Sequence, residues 1–194
     1  MNELRQHEYV ALRATIRERG TVRAITFFVT VVGWAALELA FLASGPRHAV
    51  GTLLPLMVLA AGFETIFQLH LGVERVGRYL QAAYEERLES AGSDPGSAGA
   101  TPATPQWETT VSAYATAYPS AGSDPLFTVM FLLATLINLL PVLRAWRLPG
   151  VLVPLVLAHL AFIVRILMAR RRAARQRAED LARFRELRVK TRDE

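Results

Sequence analysis

The sequence predicts an all-α, polytopic integral membrane protein with four transmembrane helices and cytoplasmic amphipathic and basic helical extensions. Three observations predict it. Hydrophobic residues make up 52% of the 194-residue chain and the mean hydropathy is +0.25, yet the pI is about 10.2. Apolar and charged residues must therefore occupy separate stretches, as a bilayer requires. Four apolar stretches reach the roughly 20 helical residues that cross a hydrocarbon core about 30 Å thick. Finally, nineteen of the twenty-two Lys and Arg residues fall on one side of the path that four crossings define. The apolar content excludes intrinsic disorder, and the absence of cysteine excludes a disulfide scaffold, thiolate catalysis and Cys-ligated metal.

Residues 1–21 are expected to form a cytoplasmic amphipathic helix. Tyr9, Leu12 and Ile16 make its narrow apolar stripe, flanked by Arg5, Arg13 and Arg17. Such a helix either lies on the inner membrane surface or extends the first span. Region 22–72 holds transmembrane helices 1 and 2, Val22 to Ala43 and Ala49 to Leu71. The first span exceeds a signal-peptide core of about 7–15 residues and is read as a retained anchor. Gly45 and Pro46 turn the chain between the two.

Region 73–124 begins as a cytoplasmic extension of the second helix. Glu74 and Arg78 form an i,i+4 pair, and Val76, Tyr79, Leu80 and Ala83 keep helical spacing. A Ser, Gly, Pro and Ala stretch over 90–105 reads as a flexible loop. The hexapeptide at Ser90–Pro95 recurs at Ser120–Pro125 as two uses of one turn-and-cap solution. Between the copies, Trp107, Val111, Tyr114 and Tyr118 share one face of a short helix. Trp107, Tyr114 and Tyr118 are expected as interfacial aromatic anchors at headgroup level.

Region 125–168 holds transmembrane helices 3 and 4, Pro125 to Leu143 and Leu148 to Met168. Asp124 with Pro125 supplies an N-cap and first turn, and Pro149 opens the fourth helix. Region 169–194 is a basic cytoplasmic C-terminal helix. Arg170, Arg171, Arg172, Arg175 and Arg177 form a lipid-headgroup patch for anionic lipids. Beyond them, Leu181, Phe184 and Leu187 are spaced to meet another helix.

Orientation follows from the basic residues. The N-terminal arm, the middle loop and the tail share nineteen, against Arg47, Arg144 and Arg147 on the other side. The positive-inside rule then makes both termini cytoplasmic, in the cytoplasmic (inner) membrane of a bacterium.

Polar groups at membrane depth cost about 2.5–3.5 kcal/mol on insertion scales, so each asks for a reason. Counting about 1.5 Å per residue places Glu38 and Asn138 in the outer third, His159 near the middle, and Glu64, Gln68 and Arg165 in the inner third. The expected contacts are a Glu64–Arg165 ion pair with Gln68 beside it, the alternative being an Arg165 that reaches the headgroups. Glu38 is expected to bond Asn138 or to face an outward water pocket. His159 is expected as an interhelical hydrogen-bonding residue. His159 and His70 differ by about 15 Å in depth, so one chain does not build a bis-His haem site.

No HExxH, G-x-S-x-G, P-loop or G-x-G-x-x-G occurs, and the spans lack Cys, Lys and Asp. The expectation is therefore no catalytic residues, no metal, no cofactor and no nucleic-acid partner. The expected function is that of a non-enzymatic integral membrane accessory or scaffold subunit, binding lipids and partner proteins through its bundle and basic helices. It would act as a homo-oligomer or as a subunit of a larger membrane complex. Ala36 and Ala40, four apart, suit close packing. The alternative is a small oligomeric proton or cation transporter or channel using Glu38, His159 and Glu64 at stepped depths.

Overall fold

The computed structural model describes residues 3–43, 49–85, 110–111, 113–114, 117, 124–143 and 149–193. Four helices account for most of them. Helix α1 is Glu3–Ala43; a 3-10 turn at Ala49–Thr52 leads into α2, Leu53–Leu80, which ends in a π-helical turn at Gln81–Glu85. Helix α3 is Thr128–Leu143 and α4 is Pro149–Asp193. No strand occurs among the described residues.

Among the described residues three helices are long and apolar enough to cross a membrane, over Gln6–Ala43, Val50–Tyr84 and Gly150–Leu187. Their polar arms and apolar spans are continuous. Helix α1 has 41 residues and α4 has 45, about 61 and 67 Å, roughly twice a hydrocarbon core. The N-terminal amphipathic stretch and the basic tail are thus the outer turns of α1 and α4. Pro149 is the first residue of α4, where its missing N–H costs nothing.

Helix α3 is shorter than expected, 16 residues or about 24 Å. The expectation that Pro125 opens it is corrected. Residues 124–127 form a turn closed by Phe127 N–H to the Asp124 carbonyl at 3.2 Å, and Phe127 sits at φ 51°, the left-handed region. Asp124 still caps the helix from one turn further out. Its carboxylate accepts from Leu126 N, Thr128 Oγ1 and Val129 N at 3.1–3.3 Å. Phe27 stacks on the Phe127 ring with centroids 4.1 Å apart, which offsets the strained φ.

The chain divides into two compact units. The larger spans 20–70 and 124–172 and carries the apolar spans. Phe63 is fully buried at its centre, edge-on to Phe131 at 5.2 Å and Phe162 at 5.9 Å. Thr30 of α1 lies so close to Gly62 of α2 that a Cβ there would overlap its side chain. Much of the outer surface is apolar, with Phe28, Val29, Leu39, Leu42, Leu133, Leu140 and Leu157 exposed. Thr52, Thr135, Asn138 and His159 are buried instead. Apolar outside and polar inside is the arrangement that lipid selects.

The other unit spans 1–19, 71–123 and 173–194, so the outer ends of α1, α2 and α4 belong together. Leu80 and Ala82 are buried there with Tyr84. The loop over 90–105, the interfacial anchors Trp107 and Tyr118, and the turns carrying Gly45, Pro46, Arg47, Arg144 and Arg147 lie outside the described residues. Tyr114 is helical and exposed.

Candidate functional site

Within the apolar unit, α2 and α4 run parallel. Phe63 meets Phe162 and Glu64 meets Arg165. Parallel neighbours tilt their side chains the same way, so equal depth brings them into contact. Arg165 grips Glu64 side-on, Nε to Oε1 at 2.7 Å and Nη2 to Oε2 at 2.8 Å. Its guanidinium also lies over the Phe67 ring at 4.7 Å and over the Phe63 ring at 5.9 Å. A fixed fork, a carboxylate and two aromatic faces hold one cation. Gln68 is corrected: it is exposed and takes no part in the hydrogen bonds of the pair.

Asn138 does not reach Glu38. Its Nδ2 donates to the Thr52 carbonyl and to His159 Nε2, each at 3.1 Å. His159 Nδ1 is 2.8 Å from the Leu155 carbonyl, so this network assigns the proton to Nδ1 and leaves Nε2 as acceptor. The physical reason for the correction is helix direction. Helix α3 is antiparallel to α4, and side chains lean toward their own N-termini, so Asn138 and His159 lean toward each other from different depths. Three elements are tied by one amide, and the expected interhelical role of His159 is what the geometry contains.

Glu38 is buried, with no partner at Oε1. Trp34, one turn earlier, presents its indole to the same carboxyl, too loosely for a hydrogen bond, and its Nε1 is likewise unpaired. The stepped path of Glu38, His159 and Glu64 thus has two members engaged elsewhere. Arg23 Nη1 lies 3.3 Å from His70 Nδ1, linking α1 to α2. Ala36 and Ala40 are exposed; the close helix approach is at Thr30 and Gly62 instead.

In the polar unit, sequence reasoning missed most contacts. Glu8 accepts hydrogen bonds from Tyr79 at 2.9 Å and Tyr84 at 2.5 Å, joining α1 to the end of α2. Glu74 receives Arg177 bidentately at 2.7 and 2.9 Å, while Arg78 lies 3.8 Å from it and donates to Gln81 at 2.7 Å. Asp180 pairs with Arg75 at 3.5 Å, and Tyr79 meets Phe184 edge-on at 5.7 Å. The available signal was the helical spacing of Tyr79 and Phe184; the Phe184 face is expected to meet another helix, but the spacing does not say which one. Arg177 is therefore corrected from lipid contact to ion pair. Arg170, Arg171, Arg172 and Arg175 are exposed, and none pairs with a carboxylate among the described residues.

Among the described residues no cluster of His, Cys, Asp and Glu is arranged to hold a metal ion. No known protein family, curated protein or solved structure matches this chain.

Proposed function

We propose that the protein is a non-enzymatic accessory or scaffold subunit of a membrane, a four-helix bundle that presents a polar helical unit to partner proteins. The carrying observation is how the intramembrane polar groups are used. Glu64 is committed to Arg165, and Asn138 binds His159 and Thr52. Groups joined in this way fix one helix arrangement, which supports a structural use for them. Arg170, Arg171, Arg172 and Arg175, exposed just beyond the apolar part of α4, suit anionic lipid headgroups. In this reading α3 is the fourth crossing, both termini are cytoplasmic and the membrane is the inner membrane of a bacterium.

Crosslinking in intact membranes followed by native mass spectrometry tests the scaffold reading. The expected result is a defined assembly heavier than one 21.5 kDa chain. A lone chain carrying only lipid rejects it. The transport reading is favoured by one observation, the unpaired buried oxygen of Glu38. It predicts cation flux in proteoliposomes that Glu38→Gln and Glu64→Gln abolish.

A further inference from the structure

Glu38 is the intramembrane carboxyl that the scaffold reading leaves unused. It is 8% exposed, while the adjacent Leu39 is 67% exposed, so its side chain turns into the bundle. Its level is set by contacts on both sides. Gly33 packs against Val58 and Phe41 against Gly51, which brackets Glu38 beside the segment that contains Thr52. Phe27 packs on Phe127 and Phe131. Helices α1 and α3, both antiparallel to α2, run parallel, so eleven residues further on Glu38 is level with Asn138 to Val142.

Glu38, Thr52 and Asn138 therefore share one buried polar level, which His159 reaches through its bond to Asn138. Asn138 spends both amide hydrogens on the Thr52 carbonyl and His159 Nε2, and its Oδ1 has no donor. Two unpaired oxygen acceptors, Glu38 Oε1 and Asn138 Oδ1, thus share a level. Among the described residues no basic side chain bonds Glu38. A buried carboxylate without a counter-charge is costly, and oxygen-only acceptors select hard cations. Glu38 is, among the described residues, the single carboxylate at this level, and its one negative charge is balanced by one monovalent ion, a hydron or a small alkali cation.

We propose that Glu38 is an exchangeable monovalent-cation site, loaded from the aqueous side nearest the α1–α2 turn, with Asn138 Oδ1 as the second oxygen of its layer. It is a single station. Both ring nitrogens of His159 and both oxygens of Glu64 are already engaged, so no ladder of carriers extends from it.

Dicyclohexylcarbodiimide applied to the full-length protein in membranes tests the site. The carboxyl proton moves to a carbodiimide nitrogen, the carboxylate oxygen adds to the central carbon, and the O-acylisourea rearranges to a stable N-acylurea with no atom lost. Peptide mapping by mass spectrometry is expected to place one adduct per chain on Glu38. Glu38→Gln loses it and Glu38→Asp keeps it. Loss of labelling in sodium chloride, against choline chloride, identifies sodium as the ligand; equal labelling in both identifies the hydron. An unmodified Glu38 in the wild-type chain, or equal modification of Glu38 and the Arg165-paired Glu64, overturns the proposal.

Discussion

Arg165 carries a charge at a depth where charges are expensive, and its surroundings explain how it is tolerated. The bidentate contact with Glu64 and the two aromatic faces act on one planar group, which a lysine would not reproduce. Glu64→Gln keeps the shape and removes the charge. The expected loss is about 1–2 kcal/mol, near the upper range for polar contacts in membranes, because the side chains are part exposed. Thermal unfolding in detergent reads it. The Glu64→Arg, Arg165→Glu double swap should recover part of the loss of each single swap; no recovery rejects the pair. Asn138→Ala removes the donors of two buried acceptors, at about 1–3 kcal/mol. In a double-mutant cycle with His159→Ala the two losses should sum to more than the combined loss, since they share one bond. Strict additivity counts against the tie.

The helices were legible in the sequence wherever one physical rule decided them, and illegible where two competed. Apolar runs ending in charged arms marked α1, α2 and α4; the Glu74–Arg78 spacing showed that α2 runs on into its arm, whereas for α1 and α4 composition did not decide that arm and span are one helix. Depth counting found Glu64 and Arg165 because α2 and α4 run parallel. It missed Asn138 and His159 because side chains on antiparallel helices converge from unequal depths. The acidic faces of Glu8, Glu74 and Asp180 resembled solvated surface, since partners more than 70 residues away in the chain leave no local pattern. Glycine provides an element-scale test. At Gly33 a Cβ meets only Val58 at 3.8 Å, whereas at Gly62 it meets the Thr30 side chain. Gly33→Ala should be neutral or stabilising by up to about 1 kcal/mol through helix propensity. Gly62→Ala should cost about 1–3 kcal/mol by forcing α1 from α2. Equal effects of the two in the same unfolding assay contradict the close approach.

At the scale of the whole molecule, topology follows from two sets of contacts. Glu8 with Tyr84, and Tyr79 with Phe184, place the start of α1 and the ends of α2 and α4 in one unit. Helices α2 and α4 are parallel in both units, through Glu64–Arg165 in one and Glu74–Arg177 in the other. Two parallel spans joined in sequence need a return crossing between them. Among the described residues of that interval, α3 is an apolar helix but shorter than the three candidate spans, and in the proposed four-crossing reading it provides the return. At about 24 Å it is short for a hydrocarbon core of about 30 Å, a mismatch that local thinning or flanking residues absorb at a fraction of a kcal/mol per Å. Four crossings put both termini on one side; three would put them on opposite sides. The chain has no cysteine, so single substitutions report without background. A membrane-impermeant maleimide added to intact cells should label His48→Cys and leave Glu3→Cys and Val189→Cys untouched until the membrane is permeabilised. Labelling of Val189→Cys from outside while Glu3→Cys stays protected would mean three crossings, with α3 lying within one leaflet. Labelling of both from outside would keep four crossings and reverse the orientation, against the charge asymmetry that nineteen basic residues impose.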